Sequence, residues 1–194
     1  MAAARRIVLL GAPGSGKGTQ AALLADALSI PAISTGEMLR EAVTSGNALG
    51  ERVSDILNAG ELVDDDTMAD VIRERLSQAD AQRGFLLDGY PRTMAQAATL
   101  ASILDRAGKS LDIVIQVEVP EAELIKRALG RQREDDTEEV IKNRLSVYEE
   151  NTAPLVDHYR EQGLLVSVDG DQSIEAVAAE ILGTLGVDSV GATA

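Results

Sequence analysis

Gly11-Ala12-Pro13-Gly14-Ser15-Gly16-Lys17-Gly18-Thr19-Gln20 separates two segments of opposite habit. Before it, Ile7-Val8-Leu9-Leu10 is an unbroken apolar run of buried-strand type; after it, Ala21-Ala22-Leu23-Leu24-Ala25-Asp26-Ala27-Leu28 has the composition of a helix. Strand, glycine turn and helix in that order make an anion cradle. Glycines let consecutive backbone N–H groups point inward, the helix N-terminus adds the positive end of its dipole, and Lys17 adds a mobile charge. The common pattern has Ser or Thr directly after the lysine. Here Gly18 intervenes, so Thr19 is expected to supply the hydroxyl on the Mg²⁺ side. The stretch predicts a strand–loop–helix unit built to hold nucleoside phosphates.

The same rhythm repeats along the chain. Ile30–Ser34, Gly84–Asp88, Ile113–Val117 and Leu164–Val168 read as further strands with helical patterns between them. That alternation predicts an α/β fold, a parallel sheet covered on both faces. Ala97, Leu100, Ala101 and Leu104 carry the spacing of a core-facing helical stripe. Two stretches break the rhythm: residues 35–66, expected to form two or three short helices outside the sheet, and residues 130–136, a hinge between helices. Ligands of open α/β sheets sit at the carboxyl ends of strands, where such excursions can fold over them. Both are candidate lids. The small, polar tail from Gly186 to Ala194 is expected to fray.

The length of 194 residues fits one domain able to bury a sizeable core. Aromatic residues make up only 2%, so Ala, Val, Ile and Leu must fill that core. The absence of Cys excludes a disulfide framework, a thiolate metal site and a cysteine nucleophile. No run resembles a signal peptide or a membrane span, so a soluble cytoplasmic protein is expected. A net charge of −14 argues against nucleic acid or an anionic membrane as partner, and it makes the placement of cations informative. Arginine supplies 14 of the 18 basic residues, and Arg127, Arg131, Arg133 and Arg144 fall close together. Beside a phosphate cradle such a cluster suits phosphate oxygens, which the planar guanidinium fork matches. Elsewhere it would read as a solvated charge run balanced by Glu134, Asp135, Asp136, Glu138 and Glu139.

Several blocks then combine. The glycine cradle, Ser34-Thr35-Gly36-Glu37-Met38-Leu39-Arg40, Leu86-Leu87-Asp88-Gly89-Tyr90-Pro91-Arg92-Thr93, Arg127-Ala128-Leu129-Gly130-Arg131, Arg133-Glu134-Asp135-Asp136 and Thr152-Ala153-Pro154-Leu155 occur in this order. Together the chain resembles the adenylate kinase family over roughly residues 7–185. The resemblance implies the P-loop nucleoside monophosphate kinase fold: a five-stranded parallel sheet, a monophosphate-binding excursion at 35–66 and a lid at 130–136, within a single domain spanning 1–194. It implies reversible transfer of the terminal phosphate of MgATP to AMP, giving two ADP, by a protein that is usually monomeric. Longer members carry a lid insertion of several tens of residues, sometimes holding zinc on cysteines. Here only Gln132, Arg133 and Glu134 separate Arg131 from Asp135, so a short lid without zinc is expected.

The resemblance also assigns roles. Gly14, Ser15, Gly16, Lys17, Gly18 and Thr19 wrap the β-phosphate of ATP, with Lys17 bridging toward the γ-phosphate. Thr19 and Asp88 hold Mg²⁺ through its waters, although Asp88 could instead cap the following turn. Arg131 lies by ATP, and Arg133 and Arg144 reach the phosphates from the lid side. Arg127, one helical turn before Arg131, joins this catalytic cation set. Arg40 and Arg92 clamp the AMP phosphate, and Gly89, Tyr90 and Pro91 form the turn that presents Arg92. Thr35, the backbone of Glu61-Leu62-Val63, and Gln96 match the adenine pocket. A carboxamide offers one acceptor and one donor in a plane, matching N6 and N1 of adenine; alternatively Gln96 is an ordinary exposed helix residue. Gln172 follows a segment whose backbone carbonyl is expected near the ATP adenine. No catalytic histidine is needed, because an AMP phosphate is already an anionic nucleophile and the task is positioning and charge cancellation.

Other conspicuous residues read as structural. Asp64-Asp65-Asp66 is expected to cap a helix, as are Asp135 and Asp136 with Glu138 and Glu139. His158 is read as non-catalytic. Three alternatives stand beside this reading. A CMP or UMP kinase would share the fold, though Thr35 and Gln96 favour adenine. A GTPase switch would need an Asn-Lys-x-Asp motif, which is missing; Asp105-Arg106-Ala107-Gly108 has the Asp-x-x-Gly spacing but closes a helix. A non-catalytic nucleotide sensor should have lost some of the arginines.

Overall fold

The computed structural model describes residues 6–130 and 137–187. Five parallel strands, β1 (Arg6–Leu10), β2 (Ala32–Ser34), β3 (Phe85–Asp88), β4 (Ile113–Glu118) and β5 (Leu165–Asp169), form one sheet in the order β2-β3-β1-β4-β5. β1 is central, with Val8 in register with Leu87 on one side and Val114 on the other. The chain leaves β1 toward one edge of the sheet and β4 toward the other. The loops after these strands therefore diverge and leave a crevice above their carboxyl ends.

Alternation along β1 divides the interior into two layers. Ile7 and Leu9 face α1 (Lys17–Leu28) and α9 (Ile174–Thr184), packing with Ala21, Leu24, Val177 and Ile181. Val8 and Leu10 face the opposite layer, where α4 (Asp65–Ser77), α5 (Met94–Arg106) and α8 (Pro154–Glu161) contribute Ile72, Leu76, Leu100, Leu104 and Leu155. Fully buried β1 residues on both faces explain why that strand reads as a continuous apolar run.

Two boundaries differ from the sequence reading by two residues or more, and one helix stripe differs in its members. Helix α1 begins at Lys17, four residues early, because the left-handed Gly16 (φ 91°) lets the cradle turn directly into the helix. Strand β2 begins only at Ala32: Ser29 is left-handed, and the N–H of Ile30 bonds back to the Ala25 carbonyl, so Ile30 completes the α1 cap. On α5 the buried stripe is Ala97, Leu100 and Leu104, whereas Ala101 is exposed.

The excursion is a packed pair of helices, α2 (Thr35–Ser45) and α3 (Ala48–Ala59), followed by a segment without regular structure to Asp64. Leu39, Val53 and Val63 carry its apolar side into the same layer as α4 and α5. Its far end meets α7 (Glu138–Val147). The Asn143 Nδ2 donates to the Ala59 carbonyl at 2.8 Å, and a Cβ on Gly60 would lie 3.1 Å from the Arg144 Cγ. α6 (Glu121–Gly130) ends where the expected lid begins; residues 131–136, with Arg131, Arg133, Asp135 and Asp136, lie outside the described residues. The cap of α7 is Thr137, whose hydroxyl accepts from the Val140 N–H. Within the described residues the tail is followed only to Val187, just past a turn at Leu185 and Gly186.

Candidate active site

One cleft of about 800 Å³ runs above the carboxyl ends of the strands, from the glycine loop to the excursion. At one end, Gly14 and Gly16 are left-handed and turn the loop over the first turn of α1. Gly14 could not be replaced freely, since an added Cβ would sit 2.4 Å from the Leu124 carbonyl oxygen. Ser15 is buried within the loop, while Gly18 and Thr19 are exposed toward the cleft they line. Lys17 folds back over the loop, its Nζ donating to the Gly11 carbonyl at 2.6 Å and the Ala12 carbonyl at 3.0 Å. Amide groups, a helix N-terminus and this ammonium together suit an anion such as a polyphosphate.

The flank of this end comes from α6 and the loop after β5. Arg127 donates to Glu123 Oε1 at 2.9 Å, to the Gly170 carbonyl at 2.9 Å and to Asp171 Oδ1 at 3.1 Å. Three of the five donors of its guanidinium are thus engaged in tying α6 to that loop, leaving two for a ligand. Gln172 lines the cleft, but its Nε2 donates to the Asp169 carbonyl and to Glu180, both at 3.1 Å. Gln20, beside the cradle, ties α1 to the start of α9 through a bond to the Ile174 carbonyl.

At the other end the site is made of side chains. Arg40 on α2, Arg92 after β3 and Arg144 on α7 line the same part of the cleft. Burial pushes the Arg92 guanidinium pKa down; Asp88 opposes that, while Arg144 and Arg40 reinforce it. An arginine does not give up its proton in a protein. The crowded positive field therefore persists and favours an anion. Arg92 is held in place by its neighbours: its Nε donates to the Gly89 carbonyl at 2.8 Å, and its own carbonyl accepts from the Thr152 hydroxyl at 2.9 Å. Gly89 is left-handed (φ 81°), and a Cβ there would stand 2.9 Å from the Thr35 Oγ1 and 3.1 Å from the Arg92 Nη2. Thr35 is buried and donates to the Gly89 carbonyl at 2.8 Å, joining α2 to this turn. Tyr90 is buried, precedes a cis bond to Pro91, and donates to the Gln96 carbonyl at 3.2 Å.

Gln96 is only 2% exposed, which removes the alternative of an ordinary surface residue. It lines the cleft together with Glu61, Leu62 and Val63, the segment that leads out of the excursion. Asp88 lines the cleft as well, its Oδ2 3.7 Å from the place a Cβ on Gly18 would take. Of the acidic triplet, Asp64 is the cap of α4, accepting from the Thr67 N–H at 2.8 Å. Asp65 differs from the capping expectation: its Oδ1 accepts from Gln96 Nε2 and from the Thr93 hydroxyl. A capping pattern cannot reveal a bond across 31 positions of sequence. Thr152 and Tyr148 also line the cleft, and neither carries a role readable from local sequence. His158 sits on α8 paired with Gln162 and is not among the lining residues.

The family model described as "Adenylate kinase" matches residues 9–164. A relative from Mycobacterium sp. named "Adenylate kinase" is 50% identical over 93% of this chain and 99% of its own length. "Adenylate kinase 1" of Synechocystis sp. is 48% identical over 93% of this chain and 97% of its own. "Adenylate kinase" of Methanosarcina barkeri is 43% identical over 92% and 97%. Identity of that order along nearly the whole chain, on a parallel sheet carrying this cradle and this cleft, means that the chain belongs to the adenylate kinase family.

Proposed function

We propose that the protein transfers the terminal phosphate of ATP reversibly to AMP, giving two ADP, with the two nucleotides held end to end in the cleft. The observation that carries this reading is the pairing of an amide-built phosphate cradle at one end with Arg40, Arg92 and Arg144 at the other. ATP belongs at the cradle, its β-phosphate against the amides of residues 14–19, with Lys17 swung from its loop carbonyls toward the γ-phosphate. AMP belongs at the excursion, its phosphate on Arg40 and Arg92 and its base against Thr35, Gln96 and the 61–63 backbone. Arg144 and Arg127 add positive field along the path of the transferring group. Arg131 and Arg133 belong to the same proposal and lie outside the described residues.

Transfer between two phosphates requires alignment and charge cancellation and no general base. Arginines that stay fully charged supply that, and the half-buried Arg92 is braced by Gly89 and Thr152, which keeps its geometry from relaxing between turnovers. Mg²⁺ is part of the reading as the companion of ATP. Among the described residues no group of three or more His, Cys, Asp or Glu could hold a metal. Thr19 and Asp88, one hydroxyl and one carboxylate across Gly18, suit an ion that keeps much of its water and takes its remaining ligands from phosphate. When bound there it neutralises phosphate charge. Residues 35–66 are read as an acceptor-binding unit that closes on its ligand, and the whole as a single monomeric domain. No helix among the described residues is long and apolar enough to cross a membrane; cytoplasmic residence belongs to the proposal.

The test is to mix the purified protein with MgATP and AMP, CMP or UMP in turn and follow diphosphate formation. Rapid ADP formation with AMP alone is expected. Preference for CMP overturns the adenine assignment, and no ADP from folded protein overturns the reading as a whole.

A further inference from the structure

We propose that Asp65 sets the sense in which the Gln96 carboxamide faces the acceptor base, and thereby makes the pocket select a 6-amino over a 6-oxo purine. This rests on the reading of that pocket as the AMP site.

A carboxamide is nearly symmetric in shape, so packing alone cannot tell its oxygen from its nitrogen. The two senses read opposite edges. Adenine presents a donor at N6 and an acceptor at N1, and needs the amide oxygen opposite N6 and the amide nitrogen opposite N1. A 6-oxo purine presents an acceptor at O6 and a donor at N1, and needs the reverse. Which purine fits therefore depends on what holds the other side of the amide.

In this structure both neighbours act in the same direction. Gln96 Nε2 donates to Asp65 Oδ1 at 2.8 Å, and Gln96 Oε1 accepts from the backbone N–H of Arg92 at 2.8 Å. A carboxylate can only accept and a backbone N–H can only donate. Turning the amide over would set oxygen against carboxylate and nitrogen against N–H, at a side chain only 2% exposed. Asp65 is the charged member of the pair and makes the stronger bond. It is itself oriented: the Thr93 hydroxyl accepts from the Gln96 N–H at 3.1 Å, and so directs its own proton to Asp65 Oδ1, also at 3.1 Å. Gln96 is left with one N–H and one oxygen lone pair for a ligand, in the sense that suits adenine. Asp65 is not among the residues lining the cleft, so it acts through Gln96 as a positioning residue.

The experiment compares kcat/KM for AMP with that for IMP, its 6-oxo analogue, at saturating MgATP. The wild type, Asp65→Asn, Asp65→Ala and Asp66→Asn are measured together, the last as an exposed control that makes the same charge change in the same helical turn. An asparagine can donate as well as accept, so at that position it tolerates either sense of the amide; an alanine removes the carboxylate's hold and leaves only the weaker, neutral bond from the Arg92 N–H. The AMP/IMP ratio is expected to fall at least about tenfold in Asp65→Asn and in Asp65→Ala, mostly through a rise in KM for AMP, and to stay within about twofold in Asp66→Asn. A ratio retained within about twofold in either folded Asp65 variant overturns the proposal. A wild type that uses IMP as well as AMP overturns the adenine reading beneath it, before any variant is considered.

Discussion

The two ends of the cleft, to which we assign ATP and AMP, are built by different means. The proposed ATP end is made from consecutive residues that offer mainly their main chain: left-handed glycines, helix amides and one lysine. The proposed AMP end is made from side chains on α2, the turn after β3, α4, α5 and α7, several of them braced by others: Thr35 by Gly89, Arg92 by Gly89 and Thr152, Gln96 by Asp65 and Arg92. A backbone site tolerates side-chain change and recognises charge. A side-chain site loses its shape when one support goes, and it can recognise a base.

The strongest way to break this contrast is to remove one cation from each end. Lys17→Met is expected to lower turnover by about two to three decades, with its binding effect confined to ATP. Arg92→Ala is expected to lower kcat/KM at least about a hundredfold, with its binding effect on AMP, in a protein that melts normally. Steady-state kinetics with each substrate varied would check both. Crossed effects, with Lys17→Met weakening AMP, would mean that the two ends are one site.

Gly89→Ala probes the supports of the AMP end. The left-handed backbone and the clash with Thr35 Oγ1 predict a loss of about 1–3 kcal/mol, read as a fall in Tm of about 3–8 °C, with KM for AMP raised. Smaller still is Asn143→Ala, which removes the bond from α7 to the Ala59 carbonyl. A partly exposed hydrogen bond predicts about 0.5–1 kcal/mol and faster amide exchange at the end of α3.

The last effect, similar in size and confined to stability, lies outside either binding end. The backbone N–H of Thr67 holds the Asp64 carboxyl below the usual carboxylate range. A depressed folded pKa contributes stability above the unfolded value, and that contribution is lost as acid protonates the group through its folded value. Wild type and Asp64→Ala should therefore differ by about 1 kcal/mol at neutral pH, and the gap should narrow below about pH 4. Denaturant titrations across that range would reveal it, and a gap independent of pH would remove the carboxylate's charge from the cap.

How much could be read beforehand follows the same division. The cradle, the strands, their parallel arrangement and the family were legible because each rests on neighbours in sequence: an apolar run, a glycine spacing, a helical period. Errors at the edges were local competitions. Ile30 belongs to the α1 cap because Ser29 turns left-handed before Pro31, and α1 starts at Lys17 because Gly16 already forms its cap. Ala101 has the right spacing for a core stripe, yet Leu100 and Leu104 take the layer beside the sheet and leave it exposed.

From its amino acids alone, this chain declared a nucleotide-phosphate cradle on an α/β sheet, since backbone conformation and apolar periodicity are properties of short stretches. Tertiary structure decided which way an amide faces, which acid braces it and where Arg92 is held. Those choices are made by hydrogen bonds between Asp65, Gln96, Gly89 and Thr152, which only folding brings within 3 Å of their partners.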